Sequence, residues 1–206
     1  MNRYEFNHRW SELHGNVEVA GVIKGWLFFS YYIARVLSFL RITPNVLTTL
    51  GIVFSLWMIK VGYYHEMIIL LILALICDGV DGSVAIYRNR ATPMGALYDS
   101  VADRITEAIW LSMCIYVDIS VRFLIIIWVL GAVQEYMRTK LSTLGYSEIG
   151  VVTPTERPMR AIFVLLAMIT YIFGFAVTEE MAWIFIGLQL FSVWKIAKMS
   201  HSVLAP

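Results

Sequence analysis

The chain has 206 residues, of which 59% are hydrophobic and 15% charged, and its mean hydropathy is +0.71. Soluble domains are about 25% charged, so this composition excludes an ordinary water-soluble domain and a disordered tail, and it points to a bilayer. Sixteen Lys and Arg against fifteen Asp and Glu leave a formal charge of +1, with no basic excess to bind nucleic acid.

The first 25 residues are too polar and too evenly charged to hold the apolar core of a signal peptide, so the N-terminus is expected to be retained. Residues 23–41 are rich in apolar side chains but are interrupted by Lys24, Ser30, Arg35, Ser38 and Arg41. At ~100° per residue these cluster on one arc, the pattern of an amphipathic helix lying in the membrane interface. Six apolar stretches follow, roughly 45–64, 67–88, 94–117, 121–141, 159–177 and 181–199, each near the ~20 residues that a spanning helix needs. The expected fold is therefore an all-α integral membrane protein. Residues 1–41 form a cytoplasmic N-terminus with an interfacial amphipathic helix, and 42–206 form a six-helix transmembrane catalytic domain. Cys77 and Cys114 sit in apolar runs and offer neither a disulfide framework nor a zinc site. His8, His14, His65 and His201 lack metal-like spacing and read as surface residues. The tryptophans and the aromatic stretch from Trp26 to Tyr32 read as interfacial anchors.

Orientation follows from the cations, because Lys and Arg beside spans stay on the cytoplasmic side. Arg3, Arg9, Lys24, Arg35 and Arg41 precede the first span, and Arg88 and Arg90 follow the second. Arg138, Lys140, Arg157 and Arg160 flank the long fourth loop, and Lys195 and Lys198 close the chain. The opposite face holds only Lys60 and Arg122. Both termini are thus expected in the cytoplasm and the protein in the cytoplasmic membrane.

Four acids within the second and third stretches, Asp78, Asp81, Asp99 and Asp103, demand an explanation, since an ionised carboxylate at depth costs several kcal/mol unless neutralised. At ~100° per residue, Asp78, Asp81, Gly82 and Ala85 fall within an arc of about 100°, and Gly95, Asp99 and Asp103 share one face of the next helix. Thr92 is suited to cap that helix, with Pro93 at its first position. Counted from Arg88 and from Pro93, the four acids meet at matching depths in an antiparallel hairpin. Lys and Arg are scarce nearby, so a metal is the better neutraliser. All-oxygen ligation without His or Cys selects Mg2+, Mn2+ or Ca2+, and four Asp suffice to bridge two ions for a phosphoryl displacement.

These residues resemble the signature of the CDP-alcohol phosphotransferases, D-x2-D-G-x2-A-R-x8-G-x3-D-x3-D. Asp78, Asp81, Gly82, Ala85, Gly95, Asp99 and Asp103 match, and Ile86 stands where the family has arginine. Arg88 and Arg90 are the cations nearest to that gap, although a shift of two residues turns a helix by about 200°. Pro44-Asn45-Val46-Leu47-Thr48 is similar to the segment that opens the family's first span. The resemblance implies transfer of a phosphatidyl group from CDP-diacylglycerol to an acceptor hydroxyl, with CMP leaving. It further implies two divalent cations, Mg2+ or Mn2+, held by Asp78, Asp81, Asp99 and Asp103. A CDP site would comprise Asn45, Thr48, Asp78, Gly82, Ala85, Gly95 and Asp99, with Asp103 as general base, and the assembly would be a homodimer.

On the acceptor side, Arg138, Arg157 and Arg160 are suited to a phosphate, because a planar guanidinium bonds two oxygens at once. Inositol phosphate or glycerol 3-phosphate would use them. The competing explanation is that they only obey the cation bias of cytoplasmic loops, in which case an unphosphorylated alcohol would serve. Arg104 and Glu107, at i,i+3, read as a structural pair. A divalent-cation transporter accounts for the acids but not for the glycines or the spacing, and a catalytically weakened transferase is suggested by Ile86 alone.

Overall fold

The computed structural model describes residues 1–13, 18–146 and 153–204, and all regular structure among them is helical. The helices are α1 (Arg3–Leu13), α2 (Gly21–Phe39), α3 (Pro44–Met58), α4 (Tyr64–Tyr87), α5 (Pro93–Met113), α6 (Val121–Thr143), α7 (Arg157–Ile172) and α8 (Thr178–Leu204). A 3-10 turn, Cys114–Val117, continues α5. Every one of the six apolar stretches is occupied by a helix, α3 to α8. His14 lies outside the described residues.

Local chemistry sets the boundaries. Thr43 and Pro44 start α3, and Thr92 accepts the Gly95 N–H at 3.1 Å as the cap of α5, with Pro93 at its first position. Asn89 and Asp118 close their helices in the left-handed region, at φ 52° and 61°, which short polar side chains tolerate better than most. Of the eight, α4 and α8 are each long and apolar enough to cross a membrane, and α2 with α3 passes the same test only as a pair bent by 103°. Outward-facing Ile69, Ile72, Leu73 and Ile76 on α4, and Trp183, Ile184, Phe191 and Trp194 on α8, are exposed. Such apolar stripes are a liability in water and an asset against lipid. The chain is an integral membrane protein.

The chain divides into two compact units, Met1–Lys60 with Ile69–Thr106, and Val61–Ile68 with Glu107–Pro206. In the first, α2 buries Leu27, Ser30, Tyr31 and Ala34, one stripe at helical spacing. Ala34 joins Leu47, Val80 and Val84 in a core, and α1 packs on α2 through Phe6 and Tyr31, whose rings meet edge-on at 5.6 Å. The Trp26 ring, expected to serve as an interfacial anchor, packs on α4: it lies so close to Gly79 that an added Cβ would stand 3.1 Å from it.

In the second unit α6 lies along α8, with Phe123 against Trp183 and a Gln189 amide donated to the Ile127 carbonyl at 3.0 Å. Phe163 of α7 stacks on Phe185 of α8 at 4.6 Å. The segment leading into α7 is held by buried polar groups: Thr155 donates to Ser192, and Gln134 donates to Thr153.

Candidate active site

Helices α4 and α5 bring together three of the four signature acids. Ligand oxygens of Asp78, Asp99 and Asp103 lie within 4.8 Å of one another. Oxygens bound about 2.1–2.6 Å from a hard cation stand up to roughly 4–5 Å apart, so this set fits a divalent ion, and three like charges this close favour one. Asp81 is held separately. It is 5% exposed and accepts hydrogen bonds from the Thr48 hydroxyl at 2.5 Å and from the Gly82 N–H at 2.6 Å. The three-residue offset from Asp78 turns its carboxylate toward α3, where Thr48 waits.

Beside the acids lies a cavity of about 260 Å³. Asn45, Thr48, Gly82, Ala85, Gly95 and Asp99 line it, six of the seven residues assigned to a CDP site from sequence. The seventh, Asp78, belongs to the acid cluster, and Asp99 belongs to both. A Cβ built on Gly82 meets nothing within 4 Å, so this glycine leaves open space at the cavity wall. Gly95 is tighter: a Cβ there would stand 3.1 Å from the Thr92 hydroxyl that caps α5. Leu13 and Thr92, which sequence reasoning did not assign to a substrate site, also line the cavity, as do Ile86 at the signature's arginine position and Arg90, one of the two cations nearest to that gap.

The three acceptor-side arginines occupy different surroundings in the second unit. Arg160 is 1% exposed. Its Nε pairs with Glu107 at 2.6 Å, while its other nitrogens donate to Glu135 and to the Thr155 carbonyl. Arg138 is paired with Glu156 and donates to Thr153. Arg157, half-buried, has its guanidinium 5.3 Å above the Trp110 ring, a cation–π arrangement. Glu107, expected to pair with Arg104, also reaches across to α7. Gly131 makes room for this pair, since a Cβ there would lie 3.1 Å from a Glu107 oxygen. The sequence does signal such a role, because Glu107 and Glu135 are acids inside apolar stretches, where carboxylates need partners.

A profile of the family CDP-alcohol phosphatidyltransferase matches residues 32–194. The chain is 34% identical over 128 residues to the archaetidylinositol phosphate synthase of Aeropyrum pernix, a match covering 56% of this chain and 65% of that protein. It is 38% identical over 74 residues to the bifunctional IPC transferase and DIPP synthase of Aquifex aeolicus, covering 35% of this chain and 17% of that one. The chain therefore spans just under two thirds of the first of these relatives and a small part of the second. Among solved structures, it is similar to Mycobacterium tuberculosis phosphatidylinositol phosphate synthase with CDP-DAG bound. The TM-score is 0.66 at 22% identity, over 84% of this chain and 93% of the other; at that identity the likeness speaks for the fold.

Proposed function

Since this chain belongs to the CDP-alcohol phosphatidyltransferase family, we propose that it transfers a phosphatidyl group from CDP-diacylglycerol to the hydroxyl of a polyol phosphate and releases CMP. The observation that carries the proposal is Asp99, which joins a cation-ready acid cluster to a cavity lined by the signature's small residues. Cytidine would lie against Gly82 and Ala85, with Asn45, Thr48 and Gly95 around it. Asp78, Asp81, Asp99 and Asp103 would hold two divalent cations, Mg2+ or Mn2+, which when bound offset negative charge on the pyrophosphate. Asp103 accepts the proton of the attacking hydroxyl. A new phosphate ester bond forms, the bond between the two phosphorus centres' bridging oxygen and the lipid phosphate breaks, and the electrons leave with CMP.

For the acceptor we assign Arg138, Arg157 and Arg160, with Arg157 as the principal contact. It is half-buried rather than enclosed, whereas Arg160 is sealed between two glutamates. Inositol phosphate or glycerol 3-phosphate fits that charge. The ion pairs of Arg138 and Arg160 favour a second reading, in which the acceptor carries no phosphate. Comparing inositol with inositol phosphate, and glycerol with glycerol 3-phosphate, decides between them. A strong preference for the phosphates supports the first reading, and equal turnover sinks it while leaving the metal site standing.

We further propose that α3 to α8 are six spans of the cytoplasmic membrane, with residues 1–41 peripheral, α2 in the interface and both termini cytoplasmic. The 103° bend between α2 and α3 supports this arrangement, as does the cation distribution.

A further inference from the structure

The position where the family signature has arginine is used here for something else. Ile86 is 5% exposed and packs in an apolar cluster with Phe6 of α1 and Leu27 and Tyr31 of α2. The Tyr31 hydroxyl adds a bond to the Met1 carbonyl at 3.3 Å. A guanidinium at position 86 would lose these apolar contacts and could not remain in the seat without burying a charge. Ile86 thus gives α1 an apolar seat at one wall of the cavity.

The cavity still needs a cation. A diphosphate entering it would meet Asp81 and Asp99, and among the described residues that line it Arg90 is the only positively charged one. Arg88, two residues earlier, donates its guanidinium to the Ile42 carbonyl at 2.8 Å and is absent from the lining. On an uninterrupted helix Arg90 would lie one turn beyond Ile86, about 40° round the axis from it. The helix does not continue. Asn89 takes φ 52°, its N–H bonds the Ile86 carbonyl at 3.0 Å, and the Arg90 N–H turns back onto the Ala85 carbonyl at 2.8 Å. This is the paired closing motif of a helix C-terminus with a left-handed residue. It folds the chain back so that Arg90 is fixed beside Ala85, itself a cavity residue.

We propose that Arg90, delivered by the left-handed turn at Asn89, binds the phosphates of the CDP substrate in place of the signature arginine, whose position Ile86 gives over to seating α1. The inference rests on the reading of the cavity as a CDP site. Arg90 is exposed and makes the only cationic contribution there among the described residues, so its loss is expected in substrate affinity and not in folding.

The test is steady-state CMP release at saturating acceptor, together with calorimetric binding of CDP to the Mg2+-loaded protein. Arg90→Gln should raise the KM for CDP-diacylglycerol and the Kd for CDP by at least about tenfold, as for loss of a charge-assisted bond. The acceptor KM should stay put, and Arg90→Lys should restore part of the loss. Arg88→Gln should leave the CDP-lipid KM at the wild-type value. Asn89→Gly should behave as wild type, whereas Asn89→Val, strained at positive φ, should reproduce Arg90→Gln. If wild type turns over CDP-diacylglycerol and Arg90→Gln does so with unchanged KM, the inference fails and the cavity reading survives. If wild type neither binds CDP nor releases CMP, the cavity reading fails and the inference with it.

Discussion

Asp81 differs from the other signature acids in what surrounds it: two hydrogen bonds, from Thr48 and Gly82, fix its carboxylate, whereas Asp78, Asp99 and Asp103 face one another. Removing charge from that trio should remove the cation. Asp78→Asn and Asp99→Asn are expected to lower Mg2+- or Mn2+-dependent CMP release by more than about a hundredfold while leaving helix content and thermal stability near wild type. Full activity in either variant would take that residue out of the site. Gly82 offers an independent check, because open space lies where its Cβ would go. Gly82→Leu should fold normally and lose CDP binding, and unchanged binding would place the nucleotide elsewhere. For Ile86 the expectation is directional: Ile86→Arg should not raise activity and should lower the melting temperature, since the new charge enters a seat formed with Phe6, Leu27 and Tyr31.

Among the elements, the most demanding junction is the segment that enters α7. Arg160, enclosed with Glu107 and Glu135, ties α5, α6 and α7 together. Breaking a buried pair by removing one partner costs about 3–5 kcal/mol, so Arg160→Gln should fail in thermal stability before it fails in catalysis. Arg157→Gln should do the reverse, keeping stability and raising the acceptor KM by about tenfold or more. If both variants change only stability, the cations serve the fold and the phosphate site is lost. Much at this scale was legible in sequence. Apolar run length located all six helices, and Thr92 with Pro93 marked the start of α5, because capping chemistry is local. The signature and the Pro44–Thr48 segment together pointed to six residues that the fold brings to one cavity. What was not legible depends on distant contacts. Nothing near Ile86 in the chain announces Phe6, eighty residues away, and helical periodicity does not foresee the left-handed turn at Asn89 that fixes Arg90 beside Ala85. Helical spacing also gave no sign that Glu107 pairs with Arg160, fifty-three residues away.

At the scale of the whole molecule, a chain with so little charge keeps its acids together for a reason, and a metal-dependent transfer supplies one. Chelation should abolish turnover, and Mg2+ or Mn2+ should restore it without altering helix content. The cation distribution makes a separate prediction, that single cysteines placed beside Arg3 and Lys198 react with membrane-impermeant reagents only from the cytoplasmic side. Labelling from opposite sides would contradict an even number of spans.

The central claim is that the Asp78, Asp99 and Asp103 cluster and its neighbouring cavity act on a CDP-activated lipid. The most direct measurement is CMP release from CDP-diacylglycerol by the purified protein, with inositol phosphate or glycerol 3-phosphate as acceptor, with and without divalent metal. The account predicts stoichiometric CMP and phosphatidyl-polyol phosphate, both dependent on metal and both lost in Asp99→Asn. Metal-bound, folded protein that releases no CMP with any alcohol or polyol-phosphate acceptor would contradict it.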